Sequence, residues 1–156
     1  MKKGQTVLEF LFLVMIVIIY LTTLVVPMAK DAQTALTDTE KIARANNETQ
    51  KLANAIQKVS ILGDGTRQTV DLFIPEDTTI YCASNNVSFT TTLSLKPYPA
   101  MQNATAQCNA TNGICTKTFP KQSTSPQYTC ITPSFSGPAK TSIKVEKTSS
   151  SINIGS

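Results

Sequence analysis

The sequence predicts an α+β fold: a long N-terminal α-helix, apolar in its first half and amphipathic in its second, packed on a C-terminal antiparallel β-sheet head with disulfides. Three observations carry this reading. Phe10 to Leu21 is twelve apolar residues without a break. From Lys30 to Leu62 apolar residues recur at intervals near three and four, the spacing of one helical stripe. After Gly65 apolar and polar residues alternate, the period of a strand buried on one face. Composition changes at the same place. From Asp64 onward lie all four Cys, seven of the eight Pro and 28 Ser and Thr in 93 residues, so this part is polar, turn-rich and suited to stapling.

The first apolar run continues through Thr22 and Thr23 to Ala29. About twenty helical residues span about 30 Å, the hydrocarbon thickness of a bilayer, so the run can cross a membrane. Lys2 and Lys3 precede it, which places the N-terminus in the cytoplasm and the head outside. Two plain readings are a cleaved secretory leader and an uncleaved single-span anchor. A leader needs small residues just before its cut; Ala29 suits the last position, but Pro27 stands two residues upstream where a small residue is wanted. Glu9 fits neither reading. A charge at the bilayer centre costs about 2.5–3.5 kcal/mol, less near the interface, and marks a functional candidate whose partner must be named. A cut between Gly4 and Gln5 makes Glu9 the fifth residue of the product, one helical turn from a new α-amino group. That amine is the natural partner.

With its basic leader, Gly-Gln junction and placed Glu, KKGQTVLEFLFL resembles the class III signal peptide of archaeal type IV pilins. Against the family pattern of Gln, any, Ser, any, Glu, three residues and Leu, this chain has Gln5, Glu9 and Leu13, with Val7 where Ser is usual. The resemblance covers about residues 2–20. Archaellins share the leader type but usually lack this Glu. The resemblance implies that a prepilin peptidase cuts between Gly4 and Gln5 on the cytoplasmic side, leaving the apolar segment on the mature chain. It also implies subunit assembly through Gln5 and Glu9. The expected division is a leader at 1–4, a helix at 5–62 (span 5–29, amphipathic 30–62) and a β-rich head at 63–156. The expected partners are copies of the chain in a helical homopolymer, the peptidase, the assembly machinery, and the lipid membrane before assembly.

The amphipathic stripe runs Ala32, Ala35/Leu36, Ile42/Ala43, Leu52/Ala53, Ile56, Val59 and Leu62, to cover the head's sheet or a neighbouring helix. Asn46, Asn47 and Thr49 are expected to interrupt it. A single helix from Gln5 to Leu62 would be about 87 Å long, more than a small domain needs, and implies packing against other chains. Pro27 cannot donate to the carbonyl of Thr23, so a kink or loosened turn is expected there, with the Thr22 and Thr23 hydroxyls available to the freed backbone. An alternative is that Pro27 only marks the end of the span. Gly63-Asp64-Gly65 should end the helix.

In the head, Val70/Leu72/Ile74, Val87/Phe89/Thr91/Leu93/Leu95 and Ile143/Val145 alternate as strands. Shorter β-rich runs lie at 78–82, 114–119, 128–132 and 152–154. A core of about ninety residues with few aromatics is marginal and benefits from staples. Cys82, Cys108, Cys115 and Cys130 allow three pairings; the preferred one joins Cys108 to Cys115 around Asn112-Gly113, and Cys82 to Cys130 between strands. Sequons at Asn47, Asn86, Asn103 and Asn109 suggest N-glycans on an outward-facing segment. Residues 97–138 read as long surface loops pinned by the Cys, the natural carriers of a binding surface.

The chain has no His, so imidazole chemistry is excluded, and a catalytic Cys lacks its usual base. The Cys show no C-x2-C knuckles, which argues against zinc, and no other cofactor is expected. Asp71, Glu76 and Asp77 are the remaining carboxylates for catalysis, but acidic residues beside a turn Pro are ordinarily solvated. No catalytic residue is assigned. Net charge is +4 and no basic run exceeds Lys2-Lys3, too little for a nucleic-acid groove. The expected function is a structural subunit of a cell-surface filament whose head is exposed for adhesion. A membrane-anchored, non-polymerising binding protein is the alternative.

Overall fold

The computed structural model describes residues 3–83, 86–94, 107–109, 112–120, 127–132, 134–149 and 151–155, with backbone only for 3–6, 120, 127 and 128. Two compact units form, Met1–Thr37 and Asp38–Ser156. The helical segment comprises α1 (Lys3–Tyr20), a π-turn (Leu21–Val25) and α2 (Val26–Ile61). Within α2 there is no Gly, and its one Pro lies at the second position, so nothing inside breaks the ladder. The expected loosened turn at Pro27 takes the form of the π-turn just before it, where the Val26 amide donates to the Leu21 carbonyl. Thr22 Oγ1 donates to the carbonyls of Ile18 (2.9 Å) and Ile19 (3.1 Å), and Thr23 Oγ1 to that of Ile19 (2.6 Å). These bonds go to carbonyls about a turn before that of Thr23, to which Pro27 cannot donate.

The second unit begins at Asp38, because the last two-thirds of α2 belong to the head's core. Ala45, Leu52, Ala55, Ile56 and Val59 are buried there with residues of every longer strand. Burying a Leu, Ile or Val side chain contributes about 1.5–3 kcal/mol, so this stripe anchors the helix. The interruption expected at Asn46, Asn47 and Thr49 is not a break. Thr49 is fully buried between Ala45 and Leu52 on the same face, its hydroxyl donating to the Ala45 carbonyl at 2.7 Å. With its polar atom satisfied within the helix, Thr packs as a small branched residue. The stripe residues before Asp38 behave differently: Ala32 and Leu36 are exposed.

Nine strands follow: β1 (Arg67–Ile74), β2 (Thr78–Ala83), β3 (Asn86–Thr92), β4 (Gln107–Cys108), β5 (Ile114–Pro120), β6 (Gln127–Cys130), β7 (Ser134–Ser136), β8 (Ala139–Lys147) and β9 (Ser151–Gly155). They form two sheets, ordered β1-β8-β9-β6 and β4-β5-β3-β2-β7. Pairing is antiparallel except for β6 beside β9, which is parallel. Period-two alternation puts Val70, Leu72, Ile74, Ile143, Val145, Ile152 and Ile154 of the first sheet into the core with Ile80, Cys82, Val87, Phe89 and Phe135 of the second. Within 97–138, expected as long loops apart from the β-rich runs at 114–119 and 128–132, those runs are β5 and β6, and the described residues add the short strands β4 and β7. Thr and Ser there alternate with Cys and Phe and meet partner strands, which a compositional reading scores as loop. Leu95 lies outside the described residues.

The turn after α2 has Gly65 at φ 84°, the left-handed region that favours glycine, with its amide donating to the Lys147 carbonyl at 2.9 Å. The β7–β8 corner has a different demand. A Cβ on Gly137 would stand 1.9 Å from the Pro75 carbonyl oxygen, so only glycine lets these two backbones meet.

Candidate functional site

The first candidate site is the apolar helix. Its large side chains are open on every side, from Val14 at 38% exposed to Met28 at 72%. A helix apolar all round needs burial in lipid or among other helices. By length and composition it can cross a membrane, and none of its most apolar stretch is buried within the chain. Glu9 is exposed on α1 among Val7, Leu8 and Phe10, within the first turns, where the cost of a carboxylate near the membrane interface is smallest. Gly4 and Gln5 belong to the backbone of α1's first turns.

The second is the head's attachment to α2, held by polar contacts that flank the apolar stripe. Asp38 is buried and its Oδ2 accepts the Ser94 amide at 3.0 Å. Glu48, also buried, accepts the Phe73 amide through Oε2 at 3.2 Å while Oε1 pairs with Lys51. Lys41 pairs with Asp77 at 3.3 Å, and Lys117 donates to Asn46 Oδ1 at 2.9 Å. At the helix end, Lys147 Nζ donates to the carbonyls of Ser60 (2.9 Å) and Leu62 (2.6 Å). This satisfies carbonyls that an α-helix leaves without partners and sets a cation at the negative end of its dipole. Sequence reading missed these residues. Each pairs with a group 20 or more positions away, except Lys51, and no local pattern carries that information.

The staples join Cys82 to Cys130 and Cys108 to Cys115. Cys82 is on β2 of one sheet and Cys130 on β6 of the other, so the first bond ties the sheets together. Cys108 and Cys115 face each other across β4 and β5 with Cα atoms 4.0 Å apart, a close cross-strand pair. The loop they close is pinned by Leu93, whose amide donates to the Gly113 carbonyl at 2.9 Å. All four thiols are consumed.

The sequons fall in different settings. Asn47 is exposed on α2, but the hydroxyl of its Thr49 is buried and engaged. Asn86 opens β3 and is half-buried; Asn109 follows β4 and is exposed; Asn103 lies outside the described residues. The three carboxylates considered for catalysis lie on β1 and in the turn that follows it. Asp71 is exposed on β1 and accepts from the Ser142 hydroxyl at 2.5 Å, while Glu76 and Asp77 are exposed in the β1–β2 turn. Among the described residues, no group of three His, Cys, Asp or Glu could hold a metal.

Among the described residues, a clear titration shift falls on Glu146 of β8. Lys144 and Arg67, bonded to it at 3.0 and 2.8 Å, hold its carboxyl below the usual carboxylate range, Lys144 contributing most.

Compared with known proteins, this chain matches no family model, no curated protein and no solved structure. The long apolar helix together with the disulfides points to a membrane-anchored or extracellular location.

Proposed function

We propose that the chain is a structural subunit of an extracellular type IV pilus-like filament, polymerising through its apolar N-terminal helix and exposing its head for adhesion or surface interaction. The observation that carries this is a helix whose apolar side chains lie open on every side and whose first turns hold one carboxylate. In the membrane before assembly, lipid covers that surface. In a filament, neighbouring helices cover it instead, so extraction does not expose apolar area to water at about 25 cal/mol per Å². A prepilin peptidase cut between Gly4 and Gln5 supplies the α-amine that pairs with Glu9 of an adjacent subunit. Leaving either charge buried without the other costs about 3–5 kcal/mol, which makes the pair a register check on assembly. Pairing of Glu9 with its own chain's amine is the local alternative, since i and i+4 share a helical face.

A single-span anchor on a chain that never polymerises accounts for the apolar surface equally well, but gives Glu9 no task. Glu9→Gln separates the two. On the filament reading, this variant is cut and inserted normally but yields at least about tenfold fewer sheared filaments, the effect of weakening one contact by roughly 1.4 kcal/mol. Unchanged yield overturns the pairing role. A chain that is absent from sheared filaments in its native form supports the anchor.

A further inference from the structure

The two sheets turn chemically different outer faces to solvent. On the first, Arg67, Asp71, Lys140, Lys144 and Glu146 alternate with buried residues, the ordinary charged exterior of a β-sheet. On the second, the outward positions carry no charged side chain among the described residues. Ser136, Thr79, Thr90 and Thr116 stand opposite one another across four adjacent strands. Their hydroxyls already touch in pairs, Thr79 with Ser136 at 3.3 Å and Thr90 with Thr116 at 3.4 Å. One residue pair further along, Tyr81 faces Ser88 and leaves its ring 45% exposed.

We propose that this face binds a neutral polysaccharide. The argument is one of matching chemistry. Hydroxyls both donate and accept, so a row of them pairs best with a partner whose groups do the same, which is the property of a sugar chain. Its described residues offer no charge on this face to attract anionic or cationic polymers. Strands about 4.8 Å apart and outward residues about 6.8 Å apart along each strand set a grid on the scale of single sugar rings. The Tyr81 ring, apolar in its body and polar at its tip, supplies a stacking surface for a sugar's C–H face. The contacts between hydroxyls fix their orientation before binding, which reduces the ordering cost. A single face of this kind binds weakly, and many copies displayed together multiply the retention by about 10² or more. This names the surface for which the head of the proposed filament is suited; the binding itself requires no filament.

The test uses the full-length chain in detergent micelles, passed over immobilised neutral polymers (a β-1,4-glucan, an α-mannan and chitin) and over anionic polygalacturonate. The expected result is retention on at least one neutral polymer and unchanged retention at about 0.5 M salt, where surface charge is screened. Tyr81→Ala, and separately Thr90→Val with Thr116→Val, should each lower binding by about tenfold or more. Val is close to isosteric with Thr and favours strands, so the double variant keeps the fold while losing the hydroxyls. Lys140→Ser with Lys144→Ser, on the other sheet, should change nothing. Retention on none of the neutral polymers, retention only on polygalacturonate, or binding indifferent to both sets of face variants overturns the proposal. Each of these results leaves filament assembly standing, and a failure to assemble leaves this result unaffected.

Discussion

Glu146 shows how a carboxylate is held by its own chain. Lys144 on the same strand and Arg67 across the β1–β8 pair both bond to it. Its pKa is lower in the folded chain than in the unfolded one. A depressed value means that the contribution to stability is present above the unfolded value of about 4.3, and is lost as the pH falls through the folded value. NMR titration of the Glu146 carboxyl should therefore find its midpoint below that of an ordinary glutamate. Lys144→Met should raise the midpoint more than Arg67→Met, and an unmoved midpoint in Lys144→Met would contradict the assignment. Glu9 stands at the other extreme. It is exposed among apolar side chains, and the partner proposed for it is generated only by cleavage and belongs to another copy.

At the scale of elements, α2 has to be held along its length and at its end. Lys147 does the second through the carbonyls of Ser60 and Leu62, and hydrogen bonds from a charged donor contribute about 1.5–3 kcal/mol. Lys147→Met keeps the aliphatic stem and removes the charge. Amide hydrogen exchange in the last turn of α2 should then speed up by about tenfold or more, while exchange at 45–52 stays as it was. Equal rates in the two proteins would mean that the carbonyls are satisfied without Lys147. Such long-range contacts mark where the sequence stops being legible. The helix, its Gly63-Asp64-Gly65 stop and the longer strands follow from local periodicity and turn chemistry, as in the alternation Val70, Leu72, Ile74. The strands β4 and β7, two and three residues long, are too short to show a period and exist through their neighbours. Thr49 looked like a polar break because its own backbone bond is invisible in the sequence. Nor does local alternation reveal that the strands divide into two sheets, or that β6 lies parallel to β9.

For the whole molecule, the head must stay folded on a small core. Closing a loop of 48 residues between Cys82 and Cys130 gives about 4 kcal/mol on the chain-entropy account, and the 7-residue separation of Cys108 and Cys115 about 2.5 kcal/mol. Either is a substantial share of the 5–15 kcal/mol or so by which a domain is stable. The inter-sheet bond is the larger because it ties positions far apart in the chain; the even Cys count and the preferred pairing were read from the sequence, which left two other pairings open. For the wide turn just before Pro27 the sequence offered two readings, a loosened ladder and the mere end of the span. The hydroxyl face was not readable, because it is assembled by the register of strands from four separate segments. The helix is the opposite case. The role proposed for it rests on a run of sequence and on apolar side chains that are exposed. The most direct test of that role is the intact mass of the chain in filaments sheared from cells, with its N-terminal peptide sequenced. A chain beginning at Gln5 in that fraction is the predicted result. A chain beginning at Lys30, with residues 1–29 removed, would contradict it, because the helix proposed to build the filament would then be a discarded leader.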